Sequence, residues 1–140
     1  MGKSITNTVC HCLKMRRSAE NVIHYYDEAL QPSGITVRQY SLLYQIQIHP
    51  GCTVRELSEA TELDRSTLAR SLKSLFRSGY IVDKKEPGTR DSNLHLTDVG
   101  AAVCSHAGRL WEMAQQTYEE KIGKDTVRQL ETALLKLQYL

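Results

Sequence analysis

Aromatic side chains are scarce in this chain of 140 residues, with one Trp, one Phe and seven Tyr. A core must therefore be built from aliphatic side chains, while the tyrosines offer aromatic area with a polar end. Four Cys are too few for a dense disulfide framework, so a reducing cytoplasm is the expected setting. No apolar run is long enough to span a bilayer, and the opening MGKSITNTVCHCLKMRR has no long apolar stretch before its charges, so no membrane partner and no targeting signal are expected. An excess of charge is lacking too. The formal net charge of +2 argues against indiscriminate coating of nucleic acid. There is no Walker loop, no dinucleotide glycine fingerprint, no H-E-x-x-H and no G-x-S-x-G, and no spacing of Ser, His and Asp supplies a nucleophile with its base. Neither an enzyme nor a resident cofactor is expected. A metal is not expected either: Cys10-His11-Cys12 is too compressed for paired ligands, and His49, Cys52, His95, Cys104 and His106 are scattered.

What is present is ordinary in amount but uneven in placement. Apolar residues make up 41% and charged residues 24%, the profile of a single globular domain over residues 1–140. From Arg65 to Lys85 the basic residues Arg65, Arg70, Lys73, Arg77, Lys84 and Lys85 face Asp83 alone. A near-neutral body with a basic surface is what selective binding to DNA requires.

Periodicity organises the chain into helices around one short ribbon. Residues from about Thr8 to Leu30 read as a long helix, with Val9, Cys12, Ala19, Ile23, Tyr26 and Leu30 near one stripe. Pro32 and Gly34 break it, and Thr36 can cap a helix running to about Ile48. Thr53 and Glu56 have capping-box spacing for a short helix whose Leu57 and Ala60 should face inward. Glu62-Leu63 makes a turn, and Asp64 can cap a helix with Leu68, Leu72, Leu75 and Phe76 on its buried side. Gly79 is placed to leave that helix in a left-handed conformation. Tyr80 to Lys85 alternates as a strand, Pro87-Gly88 turns, and Leu94-His95-Leu96 returns. Thr97 caps a second long helix through roughly Tyr118, with Val99, Val103, His106, Leu110 and Met113 on one stripe. Gly123 separates a last helix carrying Val127, Leu130, Leu134 and Leu137.

The expected fold class is mostly α with a small β-ribbon: a winged helix-turn-helix lobe over residues 36–97, with helical regions 8–31 and 98–140 for dimerisation. Apolar stripes on both terminal helices exceed what a small monomer needs to bury, and symmetric dimerisation is the economical way to cover them. The helix after the turn should enter a major groove. Its outward face is expected to carry Ser66, Thr67, Arg70, Ser71 and Ser74, with Arg77 at its end. Short hydroxyls permit close approach, and Arg70 can reach a guanine edge. Free N–H groups near Arg65 and Ser66 could grip a phosphate. Lys84, Lys85 and Arg90 flank the ribbon turn, with Arg90 the candidate for a backbone or minor-groove contact. Arg38 and Ser41 are further phosphate candidates. The rival reading is a winged-helix module used only for protein association, which predicts weak, sequence-insensitive DNA affinity.

GITVRQYSLLYQI, TVRELSEATELDRSTLARSLKSLFRSGYI and LHLTDVG together resemble the MarR family of bacterial transcriptional regulators, over nearly the full length. The resemblance implies homodimers on pseudo-palindromic double-stranded DNA, most often repressors, released by a small phenolic or other ligand or by cysteine oxidation. It places Ser66, Thr67 and Arg70 in the recognition helix and makes Arg90 the wing arginine before L-x-L-T. Gly88 stands where the family commonly has an aspartate, which removes the carboxylate of a wing-bracing ion pair; Asp91 is the nearby alternative at a different spacing.

Such a regulator needs an input. Small-molecule sensing is expected between the dimer helices and the DNA-binding lobe, near Tyr26, Tyr40 and Tyr44. The alternative is thiol-based. Cys12, fourteen residues before Tyr26, resembles the cysteine of peroxide-sensing members, which lies near the same place and close to tyrosines of a neighbouring helix. A helix N-terminus favours the thiolate that peroxides attack. Cys10 and Cys12 do not share a helical face, so they are poorly placed to bridge each other, though a partner subunit could supply a second thiol.

Overall fold

The computed structural model describes residues 10–140, so the expected helix start at Thr8 lies outside the described residues. Six helices and one ribbon follow in the order α1 (His11–Leu30), α2 (Val37–Ile48), α3 (Val54–Thr61), α4 (Arg65–Arg77), β1 (Ile81–Asp83), β2 (Leu94–Leu96), α5 (Asp98–Ile122) and α6 (Lys124–Leu137), with a 3-10 turn at Gln31–Ser33 after α1. The fold is the expected one, mostly helical with a two-stranded antiparallel ribbon.

Local chemistry sets the element ends. Thr36 accepts the Gln39 N–H while the Gln39 side chain accepts the Thr36 N–H, a closed capping box at α2. At α3 the Thr53 hydroxyl oxygen accepts the Glu56 N–H at 3.0 Å, but its hydrogen goes to the Glu56 carboxylate at 3.2 Å. Glu62 ends α3 at φ +55°, a left-handed conformation in which a side chain is strained. Gly79 leaves α4 at φ +76°; its N–H donates to Phe76 O and the Tyr80 N–H to Leu75 O, a Schellman closure.

The core joins the middle of the chain to the long helices. Leu30, Leu42, Leu43, Ile46, Leu57, Leu68, Leu72, Leu75, Ile81 and Leu94 are buried together, with Cys104 and Ala107 from α5. Each buried leucine contributes about 2 kcal/mol. Beside β2, Cys52 forms an extra antiparallel bridge to Leu94. Ile81 pairs with Leu96 and Asp83 with Leu94, so the first strand is shorter than the expected Tyr80–Lys85.

Three buried faces differ from expectation. Ala60 is exposed, because the short α3 buries only Leu57 fully. Phe76 is 41% exposed: it lies about 80° around α4 from Leu68, at the flank of a ridge centred on Leu68, Leu72 and Leu75. On α5 the buried residues are Gly100, Cys104, Ala107 and Ala114, whereas Val99 and Met113 of the expected stripe are exposed. The centre of the buried face is turned by roughly 100°, one residue, with Val103 and Leu110 of the expected stripe packed on its flank. Small side chains let neighbouring backbones approach, yet weigh little in a hydrophobic pattern. A Cβ at Gly100 would sit 1.9 Å from Tyr80 O.

The terminal helices are the least covered. Leu13, Met15, Val22 and Ile23 of α1 are exposed, as are Leu130, Leu134, Leu135 and Leu137 of α6. No helix among the described residues is long and apolar enough to cross a membrane.

Candidate nucleic-acid interface

The buried leucine ridge of α4 fixes what the helix shows to solvent. Ser66, Arg70, Lys73 and Arg77 are all exposed and fall at steps of four, three and four residues, one continuous row. Lys73, part of the basic run but not among the expected DNA-facing residues, lies in that row. Thr67, Ser71 and Ser74 are half-buried on the flank rather than on the crest. The Ser74 hydroxyl accepts a hydrogen bond from Gln39 Nε2 at 3.3 Å.

The front of α4 is organised by Asp64. Its carboxylate accepts the Thr67 N–H at 2.7 Å, the Ser66 hydroxyl at 2.8 Å and the Thr67 hydroxyl at 3.0 Å. These bonds, the Thr67 N–H first, hold Asp64 below the usual carboxylate range. The chain's own carboxylate thus takes the Thr67 N–H and the Ser66 hydroxyl at the helix start where the phosphate grip was expected. Arg65 instead lines a groove with Arg55, Ser58 and Glu59 of α3. Arg38 and Ser41 are exposed on α2, and Arg38 borders the same cleft as Arg70, Ser71 and Ser74.

In the wing, the Thr89 N–H donates to Glu86 O across Pro87-Gly88, and Gly88 takes φ +85° as the turn requires. Lys84, Lys85 and Arg90 are all exposed. The brace is Asp83, not Asp91. Asp83 Oδ1 accepts the Asn93 N–H at 2.9 Å and the Lys85 N–H at 3.0 Å, and the Asn93 bond leads in lowering its pKa. Among the described residues Asp91 forms no ion pair with Arg90. Ser92 Oγ accepts the Val54 N–H at 2.7 Å, tying the returning strand to the start of α3.

The tyrosines form two clusters. Tyr40 packs against Tyr44 and Trp111, each 6.1 Å between ring centres. Tyr26 instead packs against Tyr25 and Tyr118, and its hydroxyl donates to Gln115. The expected trio is therefore split along α5. Burial leads in raising the pKa of both Tyr26 and Tyr40, so both phenols stay protonated and able to donate near neutrality. Cys10 and Cys12 are exposed at the start of α1. Fourteen residues of helix put Cys12 about 21 Å from Tyr26, so that pair does not meet within one chain. Cys52 and Cys104 are buried, and burial pushes both thiols up. Among the described residues, no three His, Cys, Asp or Glu converge as metal ligands.

Comparison with known proteins bears on this arrangement. Residues 33–90, from the end of the 3-10 turn into the wing, match the MarR family model. The regulator BilQ of Clostridium symbiosum, described as an HTH-type transcriptional regulator, is 30% identical over 109 residues, covering 77% of this chain and 76% of BilQ. The chain belongs to the MarR family. A second relative, the organic hydroperoxide resistance transcriptional regulator of Bacillus subtilis, is 28% identical over 131 residues, 90% of this chain and 85% of that one. Among solved structures, the Mycobacterium tuberculosis regulator MosR bound to DNA superposes with a TM-score of 0.77 at 28% identity, covering 94% of this chain and 98% of MosR. The match to MosR spans the terminal helices as well as the central lobe.

Proposed function

We propose that this MarR-family regulator is a cytoplasmic homodimeric repressor that binds pseudo-palindromic double-stranded DNA and releases it when a small phenolic or other aromatic molecule binds. The observation that carries the DNA reading is the exposed row Ser66, Arg70, Lys73 and Arg77 above the buried leucine ridge. Arg70 reads a base edge with its fork of donors, while Lys84, Lys85 and Arg90 contact phosphate or the minor groove. Dimerisation through α1, α5 and α6 covers leucines that one copy leaves bare. The half-exposed Tyr40, Tyr44 and Trp111 cluster supports an aromatic ligand, which shifts the dimer between two arrangements only by binding one of them better.

Selection of duplexes from random DNA by the purified protein tests this. An enriched inverted repeat with half-sites about 10 base pairs apart is expected, with affinity falling steeply as salt rises. Weak binding to every sequence would favour a protein-association module instead. Repeating the selection with phenolic acids tests release.

A second reading is supported by the exposed Cys12 and by the likeness to the hydroperoxide resistance regulator. On that reading peroxide, not a phenolic ligand, releases DNA, and Cys12→Ser abolishes the response.

A further inference from the structure

We infer that Gln39 is a positioning residue that sets the recognition helix relative to the dimer helices, and through them the spacing of the two DNA half-sites. The inference rests on the DNA-binding dimer proposed above. Gln39 is the third residue of α2. Its Oε1 accepts the Thr36 N–H at 2.9 Å, and Thr36 Oγ1 accepts the Gln39 N–H at 3.2 Å. That closed box fixes which way the amide faces. Nε2 is left free to donate across to Ser74 Oγ on α4, at 3.3 Å. Two residues earlier in α2, the Val37 N–H donates to Asp27 Oδ1 of α1 at 2.8 Å.

Three helices thus meet at the first turn of α2. Among the described residues, the bond from Gln39 to Ser74 is the one side-chain hydrogen bond between α2 and α4. The space around it is a cleft of about 320 Å³ lined by Ile23, Asp27, Gln39, Arg70 and Ser74 among others. The cleft opens on one flank of α4, while Leu68, Leu72 and Leu75 hold the opposite side of the helix in the core. On that open flank the bond is the directional link that fixes how α4 is turned on its packed ridge. A side chain already locked by its own cap transmits position better than a free one. A shift of 1 Å in each copy changes the separation of two recognition helices by up to about 2 Å, against roughly 3.4 Å per base pair. Losing the bond should therefore broaden spacing tolerance rather than move the optimum by a whole base pair.

The test measures binding to the best duplex, to versions with the spacer one base pair longer or shorter, and to an isolated half-site. For Gln39→Met and for Ser74→Ala, discrimination between optimal and altered spacing should fall about fivefold, the scale of one neutral hydrogen bond. The double variant should fall no further. Half-site affinity should be unchanged for Gln39→Met, since a residue acting through geometry matters only when both copies are engaged. If Gln39→Met does not fold, Ser74→Ala breaks the same bond with the cap intact. Unchanged spacing discrimination in both variants overturns the inference alone, as does an equal loss on half-site and full site for Gln39→Met. A wild-type protein that prefers no duplex overturns the DNA reading and this inference together.

Discussion

Gly100→Ala is a sharp test of how the wing is joined to the body. On helix propensity alone the change should help, since Gly costs about 0.5–1 kcal/mol relative to Ala inside a helix. The structure predicts the opposite. The new Cβ would lie 1.9 Å from Tyr80 O, 2.7 Å from Tyr80 C and 3.0 Å from Tyr80 Cα. Relief needs about 1.5 Å of separation to reach ordinary van der Waals range, and the obstacle is backbone that cannot rotate away. That movement breaks the bond from the Thr97 N–H to Tyr80 O, now 3.0 Å, for about 1 kcal/mol. Overpacking adds about 1–3 kcal/mol. After the propensity gain is subtracted, a net loss of about 2 kcal/mol is expected. Gly108→Ala is the control, because its Cβ would meet only the outer end of the Tyr40 side chain, the hydroxyl at 3.3 Å and ring carbons at 3.7 and 3.8 Å, with no backbone in the way. Urea denaturation of both variants at one fixed protein concentration makes the comparison, since dimer stability varies with concentration. Gly100→Ala equal to or more stable than wild type, with Gly108→Ala no different from it, would refute the close-approach argument.

Arg70→Ala should reduce discrimination among duplexes by about 1–3 kcal/mol, whereas Lys84→Ala should weaken all sequences alike and lower the salt slope by about one; equal loss on every sequence would remove Arg70 from base reading. Thiol labelling of the native protein should modify Cys10 and Cys12 quickly and Cys52 and Cys104 only on unfolding, and rapid labelling of all four would contradict the buried placement. Asp64 and Asp83 have folded pKa values below the ordinary carboxylate value of about 3.9, so their stabilisation is present above that pH and is lost as pH falls through the lowered values. The Asp64→Asn, Asp83→Asn double variant should accordingly show a shallower loss of stability than wild type below about pH 4; parallel acid curves would count against both caps.

The centre of the fold was legible because its signals are local and short-ranged. Asp64, Thr36 and Thr97 cap the helices they were expected to cap, and Gly79 exits α4 as a left-handed glycine should. Elsewhere tertiary approach decided. Large side chains on α5 suggested Val99 and Met113 as inward, yet the packed face uses Gly100, Cys104 and Ala107, whose value is their small size. Charge pattern points to Asp91 beside Arg90 as the wing brace; the structure uses Asp83 and backbone N–H groups, which no charge pattern reveals. The outward row on α4 was readable in part, but Thr67 and Ser74 are diverted to Asp64 and Gln39. The tyrosines could be enumerated without knowing that they segregate on successive turns of α5.

The bare leucines of α6 carry a consequence for how the molecule would fail. The deepest side chains, Leu42, Leu43, Ile46, Leu57, Leu75 and Leu94 of the central lobe with Leu30 at the end of α1, all lie outside the last helix. On dilution the outer helix should loosen first, with the lobe behind it still intact. A separated copy would then keep a competent grip on half an operator while losing the doubled hold that makes occupancy persist.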